Sequence, residues 1–143
     1  MTKASKFSLI ALAYGASLAC AAPSVAAMID LKADLKASNE VPPNESTGAG
    51  SVAATFDTDS NKLSWKGTVS GLNGAVTAAH FHSAEAGRNG AVAVPIMGAD
   101  KGSFEGSATL TDTQAEDLMA GKWYVNIHTA TYHAGEIRGQ MTK

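Results

Sequence analysis

The sequence predicts an all-β, antiparallel domain: a Greek-key β-sandwich or barrel of about seven or eight strands with one short helix. Two observations predict this class. Short stretches that alternate apolar and polar residues recur along most of the chain, with turn-forming residues between them, and only one stretch carries helix signals. No internal repeat or low-complexity tract interrupts the pattern, so a single domain accounts for most of the 143 residues.

The chain is predicted to begin with a secretory signal peptide, residues 1–27. Lys3 and Lys6 form a short positive region, an apolar run follows, and Val25-Ala26-Ala27 offers a small-residue cleavage site. The apolar run is too short and wrongly flanked for a membrane span. Cleavage would leave residues 28–143 as the β domain, without a transmembrane segment, in the periplasm or outside the cell.

Removing this segment changes the composition of the domain. Subtracting Lys3 and Lys6 from the 11 basic residues leaves 9 against 13 acidic residues, a net charge of −4. The one cysteine, Cys20, is lost as well, so the mature domain has neither a disulfide nor a thiolate metal site. An acidic domain without a basic patch is a poor candidate for binding nucleic acid.

Alternation predicts three strands in the first half of the domain. Apolar residues alternate with Asp and Lys over nine positions from Ile29 to Ala37. Residues 39–44 end this strand, because their two prolines cannot pair in a ladder. Residues 52–56 and 63–69 alternate next, and the polar segment 57–61 between them predicts a hairpin turn.

The second half is predicted to contain the remaining strands and the helix. A turn leads into a strand with the sequence Ala78-Ala79-His80-Phe81-His82, and the loop Ser83–Gly90 follows. Pro95 places the next strand, Ala91–Ile96, at a sheet edge. A further strand, Gly102–Leu110, precedes the helix. Two strands close the chain, at Trp123–Thr129 and Glu136–Met141.

The helix is predicted from its capping signals. Thr111 and Gln114 have the spacing of a capping box, in which each side chain bonds the backbone of the other residue. Gly121 is expected to end the helix shortly afterwards.

Strand parity brings three of the four histidines to one face. Side chains in a strand alternate between faces, so His80 and His82 share a face, and His128 shares one with Tyr124 and Asn126. If the two strands are neighbours, three imidazoles meet there. Imidazole is the commonest protein ligand for zinc and copper, so the three histidines are predicted to be metal ligands. The alternative is a polar sheet face that binds nothing.

Four motifs resemble those of the CHRD domain, which is named for chordin and is widespread in secreted bacterial proteins. They cover nearly the whole mature chain in the right order. The resemblance implies a β-rich secreted domain of poorly defined function, and His133 stands where the family often has proline. The motifs are Asn39-Glu40-Val41-Pro42-Pro43, Ala79-His80-Phe81-His82, Tyr124-Val125-Asn126-Ile127-His128-Thr129 and Gly135-Glu136-Ile137-Arg138-Gly139-Gln140.

A second likeness is to the copper/zinc superoxide dismutases. His80 and His82 on one strand, a later His128 and then Arg138 are similar to that family in order and type. The likeness implies a copper site, with Arg138 guiding an anion. The mature chain departs from the family because it lacks the disulfide and a clear zinc-loop set of ligands.

Other residues complete the predicted site. His133 is a candidate fourth ligand or a solvated loop residue. Glu136, Glu40 and Asn126 are predicted to surround the ligands and orient them by hydrogen bonds. The alternative for the two glutamates is a structural role, in which they form ion pairs with Arg138. The two isolated methionines with soft sulfur atoms, Met97 and Met119, are interpreted as core residues.

Two hypotheses of function remain open. In the first, the domain binds copper, with zinc as the alternative metal, for copper handling or for redox chemistry on a small oxidant such as superoxide. An enzyme of this kind would be a copper-dependent, dismutase-like oxidoreductase. In the second, it is a metal-free module that binds a periplasmic or extracellular protein or a polysaccharide through loops such as Ser83–Gly90.

Overall fold

A computed structural model describes residues 26–143, so Cys20 and most of the predicted signal peptide lie outside the described residues. The described chain forms one antiparallel sheet of eight strands. The strands are β1 (Met28–Lys36), β2 (Ala49–Asp57), β3 (Lys62–Ser70), β4 (Val76–Ser83), β5 (Ala91–Pro95), β6 (Ser103–Thr109), β7 (Trp123–Thr129) and β8 (Ile137–Gln140).

The sheet is nearly closed, with the strand order β5-β4-β7-β8-β1-β2-β3-β6. Strands β1 to β3 form two consecutive hairpins, and β6 pairs with the outer side of β3. The later strands pair through β7, which lies between β4 and β8. The predicted all-β antiparallel class is confirmed. The neighbouring position of β4 and β7, on which the predicted histidine site depends, is also found.

The core fills the inside of the curved sheet with apolar residues from alternate strand positions. The burial pattern of β1 alternates strictly in its second half, where Leu31, Ala33 and Leu35 are buried. Phe81 of β4 contacts Trp65 of β3 edge-on, with ring centroids 5.0 Å apart. Since β3 and β4 are far apart in the strand order, this contact spans the interior. Burial of such large rings supplies much of the stabilising free energy of the domain.

The helix α1 (Asp112–Met119) begins with the predicted capping box. Thr111 Oγ1 accepts a hydrogen bond from the Gln114 amide at 3.2 Å, and Gln114 Oε1 accepts one from the Thr111 amide at 3.0 Å. The Gln114 side chain also donates to the carbonyl of Ala93 at 3.2 Å. The helix is therefore tied to the edge strand β5. Two short 3-10 segments, Ala37–Asn39 and Ala99–Lys101, complete the secondary structure.

Strand β5 is an irregular edge, in agreement with the prediction from Pro95. Its pairing with β4 shifts register between Phe81 and His82, so that His82 lies opposite Val92 and His80 opposite Pro95. The histidine strand is thus the second from this edge. Within residues 26–143, no helix has the length and apolar character needed to cross a membrane.

Candidate metal centre

The pairing of β4 with β7 brings three histidines together on the side of the sheet away from the core. His80 lies opposite Asn126, His82 opposite Tyr124, and His128 opposite Ala78. One ring nitrogen from each histidine lies within 4.8 Å of the other two. His82 is buried, whereas His80 and His128 are half-buried. We call these three residues the histidine trio.

The trio leaves three buried ring nitrogens without a hydrogen-bond partner among the described residues. They are Nδ1 of His80, Nε2 of His82 and Nε2 of His128. Five buried side-chain nitrogen or oxygen atoms of the described chain lack a partner, and three of the five belong to this one cluster. A buried polar atom without a partner costs about 1–3 kcal/mol. The three histidines form a cluster that could hold a metal ion.

The opposite nitrogens of two rings are held by backbone carbonyls. His82 Nδ1 lies 3.0 Å from the carbonyl oxygen of Gly90, and His128 Nδ1 lies 2.9 Å from that of His133. A carbonyl oxygen only accepts, so both Nδ1 atoms carry a hydrogen. In the neutral ring the Nε2 atom then presents a lone pair to the trio. Metal-binding histidines are commonly oriented by such bonds.

Burial keeps two of the rings in the neutral form that binds metals. Desolvation lowers the pKa of His80 below its ordinary value, and the charges of His128 and His82 lower it further. Desolvation also lowers the pKa of His82, against the opposing effect of its hydrogen bond to Gly90; His128 and Arg138 add smaller decreases. Protons therefore compete less with a metal ion at these rings than at a free histidine.

The donor set fits copper or zinc after a small contraction. Three imidazoles bound to one ion at about 2.0–2.1 Å hold their nitrogens roughly 3.3–3.6 Å apart. The trio nitrogens lie within 4.8 Å of one another, so a metal ion would draw them closer together on binding. Three neutral donors leave at least one coordination position open.

A stack of side chains supports the trio from the β8 side. The ring of His82 lies parallel to that of Tyr124, with centroids 4.8 Å apart and an interplanar angle of 5°. The guanidinium carbon of Arg138, on the next strand, lies 3.5 Å from the Tyr124 ring centroid. This cation–π contact fixes Tyr124, which in turn fixes the orientation of His82.

Arg138 is buried rather than presented to solvent, with 2% of its surface exposed. Its guanidinium donates to Asn89 Oδ1 at 3.0 Å and to the Arg88 carbonyl at 2.6 Å. The expectation that Arg138 guides an anion is therefore not favoured, because these bonds direct its donors to the loop after β4. Tyr124 holds the same loop, since the Gly90 amide donates to its hydroxyl at 3.1 Å.

Glu40 and Asn126 form a hydrogen-bonded pair beside the trio. Asn126 Nδ2 donates to Glu40 Oε1 at 2.5 Å and to the Ile137 carbonyl at 3.2 Å. Neither residue hydrogen-bonds a trio ring, so both support the sheet next to the site. Desolvation raises the pKa of Glu40 to about 7, although Asn126 and the charge of Arg138 act to lower it.

Gly135 provides the space for this pair. A Cβ atom at this position would lie 2.5 Å from Asn126 Nδ2 and 2.7 Å from Glu40 Oε1, and the backbone φ is +134°. Both the close approach and the dihedral angle favour glycine.

Glu136 lies elsewhere and does not bond a histidine. It is fully buried, and its Oε1 accepts from Ser46 Oγ at 2.5 Å and from the Asn73 amide at 2.7 Å. Its Oε2 accepts from Thr129 Oγ1 at 2.6 Å. The expectation that Glu136 orients a trio ring needs correction, because backbone carbonyls do so instead. The carboxylate joins three segments of the chain.

The ring of His133 is exposed, in agreement with the alternative of a solvated loop residue. It does not belong to the trio, although its carbonyl orients His128. The interpretation of Met97 as a core residue is wrong, because Met97 is 77% exposed. Met119 does pack partly buried against the core.

Sequence reasoning missed the two carbonyls that orient the trio. The loop Ser83–Gly90 is evident from its polar, glycine-containing sequence, but nothing in its composition shows that it folds back over its own strand. One signal is present in Gly90, since a Cβ atom there would overlap the Ser83 carbonyl.

An all-β domain with three convergent histidines defines a candidate metal-binding module. The profile of the CHRD domain family matches residues 31–141, and the chain therefore belongs to the CHRD family. Domains of this family are typically extracellular, which points to an extracellular or secreted module. Comparisons with curated proteins and with solved structures give no match.

Proposed function

We propose that this CHRD domain is exported to the periplasm or the cell exterior and binds copper through His80, His82 and His128. The observation that carries the proposal is the convergence of three buried ring nitrogens without partners. A metal ion would remove the cost of all three at once. A purely structural cluster would instead be expected to pair them, as the Nδ1 atoms of His82 and His128 are paired.

Copper is favoured over zinc by the donor set. Divalent copper binds nitrogen sites more tightly than zinc does, and imidazoles also accept Cu(I). Within the described residues the cluster contains no carboxylate, which would favour harder ions. The open coordination position suits a protein that takes up and releases copper. We therefore favour copper handling over redox turnover, because Arg138 is occupied with the loop after β4.

The test is metal binding by the mature protein purified without an affinity tag. Elemental analysis and Cu(II) titration, followed by absorption and electron spin resonance, should show about one copper per chain with nitrogen hyperfine structure. His128→Ala should weaken binding by about 100-fold or more, because one of three ligands is lost.

His133→Ala is the matched control. It removes an exposed imidazole five residues away but keeps the carbonyl that orients His128. Its copper affinity should equal that of the wild type. Unchanged affinity in both His82→Ala and His128→Ala would refute the site. Preferential binding of zinc would mean that the site is a zinc site rather than a copper site. Absence of any saturable metal binding would favour the alternative, a metal-free module that binds proteins or polysaccharides.

A further inference from the structure

Met97 is exposed at a cleft that reaches the trio. A cleft of about 330 Å³ lies where β4 extends past the end of β5, and His80, Met97 and Asp100 are among the residues that line it. His80 is the trio member with a partnerless Nδ1, and it is half-buried. One ligand of the proposed copper site therefore borders a cleft that also carries an exposed thioether.

Met97 is strongly exposed although it lies between two buried apolar residues. Its neighbours Ile96 and Ala99 are 4% and 3% exposed, whereas Met97 is 77% exposed. The backbone on both sides is fixed, since the Ile96 amide donates to the Ala79 carbonyl at 2.9 Å and the Lys101 amide to the Gly98 carbonyl at 3.1 Å. The backbone that carries the exposed thioether is thus an ordered turn.

The residues at the cleft offer donors of different softness. A thioether is a soft ligand that suits Cu(I), and an imidazole binds both oxidation states of copper. Asp100 is exposed at the same cleft, where its carboxylate attracts cations. The carboxylate, the thioether and His80 therefore border one cleft.

We infer that this cleft is the entry route for Cu(I), in which the Met97 thioether binds the ion first and passes it to His80. The inference rests on the proposed copper site. Each step is a ligand exchange: a bond from copper to sulfur is replaced by one to an imidazole nitrogen. The ion remains Cu(I) throughout, so no electrons are transferred and no other reactant is needed.

The test measures the rate of loading separately from the affinity. The full-length mature protein is mixed in a stopped-flow instrument with Cu(I) held by bicinchoninate, and the loss of the chelator complex absorbance is followed. Met97→Leu keeps an apolar side chain of similar volume but removes the sulfur. Its loading rate should fall by about 5–10-fold, with equilibrium Cu(I) affinity changed by less than about twofold.

Met28→Leu is the matched control, because Met28 is also exposed, at 63%, and does not line the cleft. It should load at the wild-type rate. Zn(II) loading, followed with a chromophoric zinc chelator, should be equally fast in all three proteins, since zinc has little affinity for a thioether.

The outcomes separate this inference from the copper site itself. A wild-type loading rate in Met97→Leu would overturn the route while leaving the site intact. An equal loss of rate and affinity would also overturn it, because Met97 would then be a permanent ligand. If the wild-type protein takes no Cu(I) from the chelator and His128→Ala behaves identically, the copper site fails and the route fails with it.

Discussion

Two buried polar clusters on this domain differ in how completely they are paired. Around Glu136, both carboxylate oxygens accept hydrogen bonds, from Ser46, Asn73 and Thr129. In the histidine trio, three ring nitrogens have no partner in the described chain. Strand β7 contributes to both clusters, through Thr129 to the first and through His128 to the second.

The difference separates a structural role from a binding role. The Glu136 carboxylate joins the end of β7 to two segments distant in sequence, at Ser46 and Asn73, so its hydrogen bonds stabilise the domain as soon as the chain folds. Folding gives the trio ring packing and the bonds of its outer nitrogens, but its inner nitrogens have no partner in the described chain and are paired only if something binds. Mutation should therefore affect stability at the first cluster and affinity at the second.

The largest effect is expected for Glu136→Ala. Removal of the carboxylate leaves the buried Thr129 hydroxyl and the part-buried donors of Ser46 and Asn73 without this acceptor, and it should lower the free energy of unfolding by about 3–5 kcal/mol. His128→Ala removes one partnerless nitrogen and should change the stability of the metal-free protein by less than about 1 kcal/mol. Urea denaturation of both variants, compared at equal m-values, measures the two losses of unfolding free energy. A larger loss for His128→Ala than for Glu136→Ala would contradict the proposed difference between the clusters.

An intermediate effect is expected for Glu40→Gln, and it depends on pH. The pKa of Glu40 is raised from 4.5 to about 7, so the folded state binds a proton more tightly than the unfolded state. This contribution to stability is complete below pH 4.5 and is lost as the pH rises through about 7. Glutamine keeps an oxygen that accepts from Asn126 but does not titrate.

Between about pH 4.5 and 8, the free energy of unfolding of the variant should therefore rise relative to that of the wild type by on the order of 2 kcal/mol, after allowance for solvent screening. Denaturation curves across this range provide the measurement. The lowered pKa values of His80 and His82 act in the opposite direction, since they reduce stability as the pH falls below about 6.5. They are common to both proteins and cancel in the difference. A difference independent of pH would contradict the prediction.

The smallest effect is expected for Tyr124→Phe. The phenyl ring retains the stack with His82 and the contact with Arg138, while the hydroxyl that accepts from the Gly90 amide is lost. Stability should fall by about 1 kcal/mol. Hydrogen exchange at the Gly90 amide should accelerate, and copper affinity should change by less than about threefold, because the trio itself is intact. A large loss of affinity would assign the hydroxyl a role at the metal.

The fold class and most strand positions follow from local patterns in the sequence. The alternation from Ile29 onward and the Thr111–Gln114 box are such patterns, and both survive in the structure. The bounds of the last strand are predicted less closely, since the pattern gives residues 136–141 and β8 covers Ile137–Gln140. Strand order depends on contacts between distant segments, so the pairing of β4 with β7 is visible only in the folded chain.

The candidate site, like the fold, is predictable from the sequence only where it depends on local patterns. Parity places His80 and His82 on one face of their strand, and His128 joins them only through the pairing of β4 with β7. The carbonyls of Gly90 and His133 are backbone groups that every residue type carries, so apart from the glycine at position 90 the sequence does not point to them. The exposure of Met97 and the burial of Arg138 depend on where loops lie relative to the sheet, which composition does not encode.

Strand β5 also bears on how concentrated this protein can become. An uncovered strand edge invites addition of a strand from another molecule, which is the first step toward fibrils. Here Pro95 lacks an amide hydrogen, the register shift beside His82 bends the ladder, and Gln114 already occupies the Ala93 carbonyl. The strand that flanks the histidines is therefore a poor template for self-assembly, and copies of the domain can accumulate without polymerising through this edge.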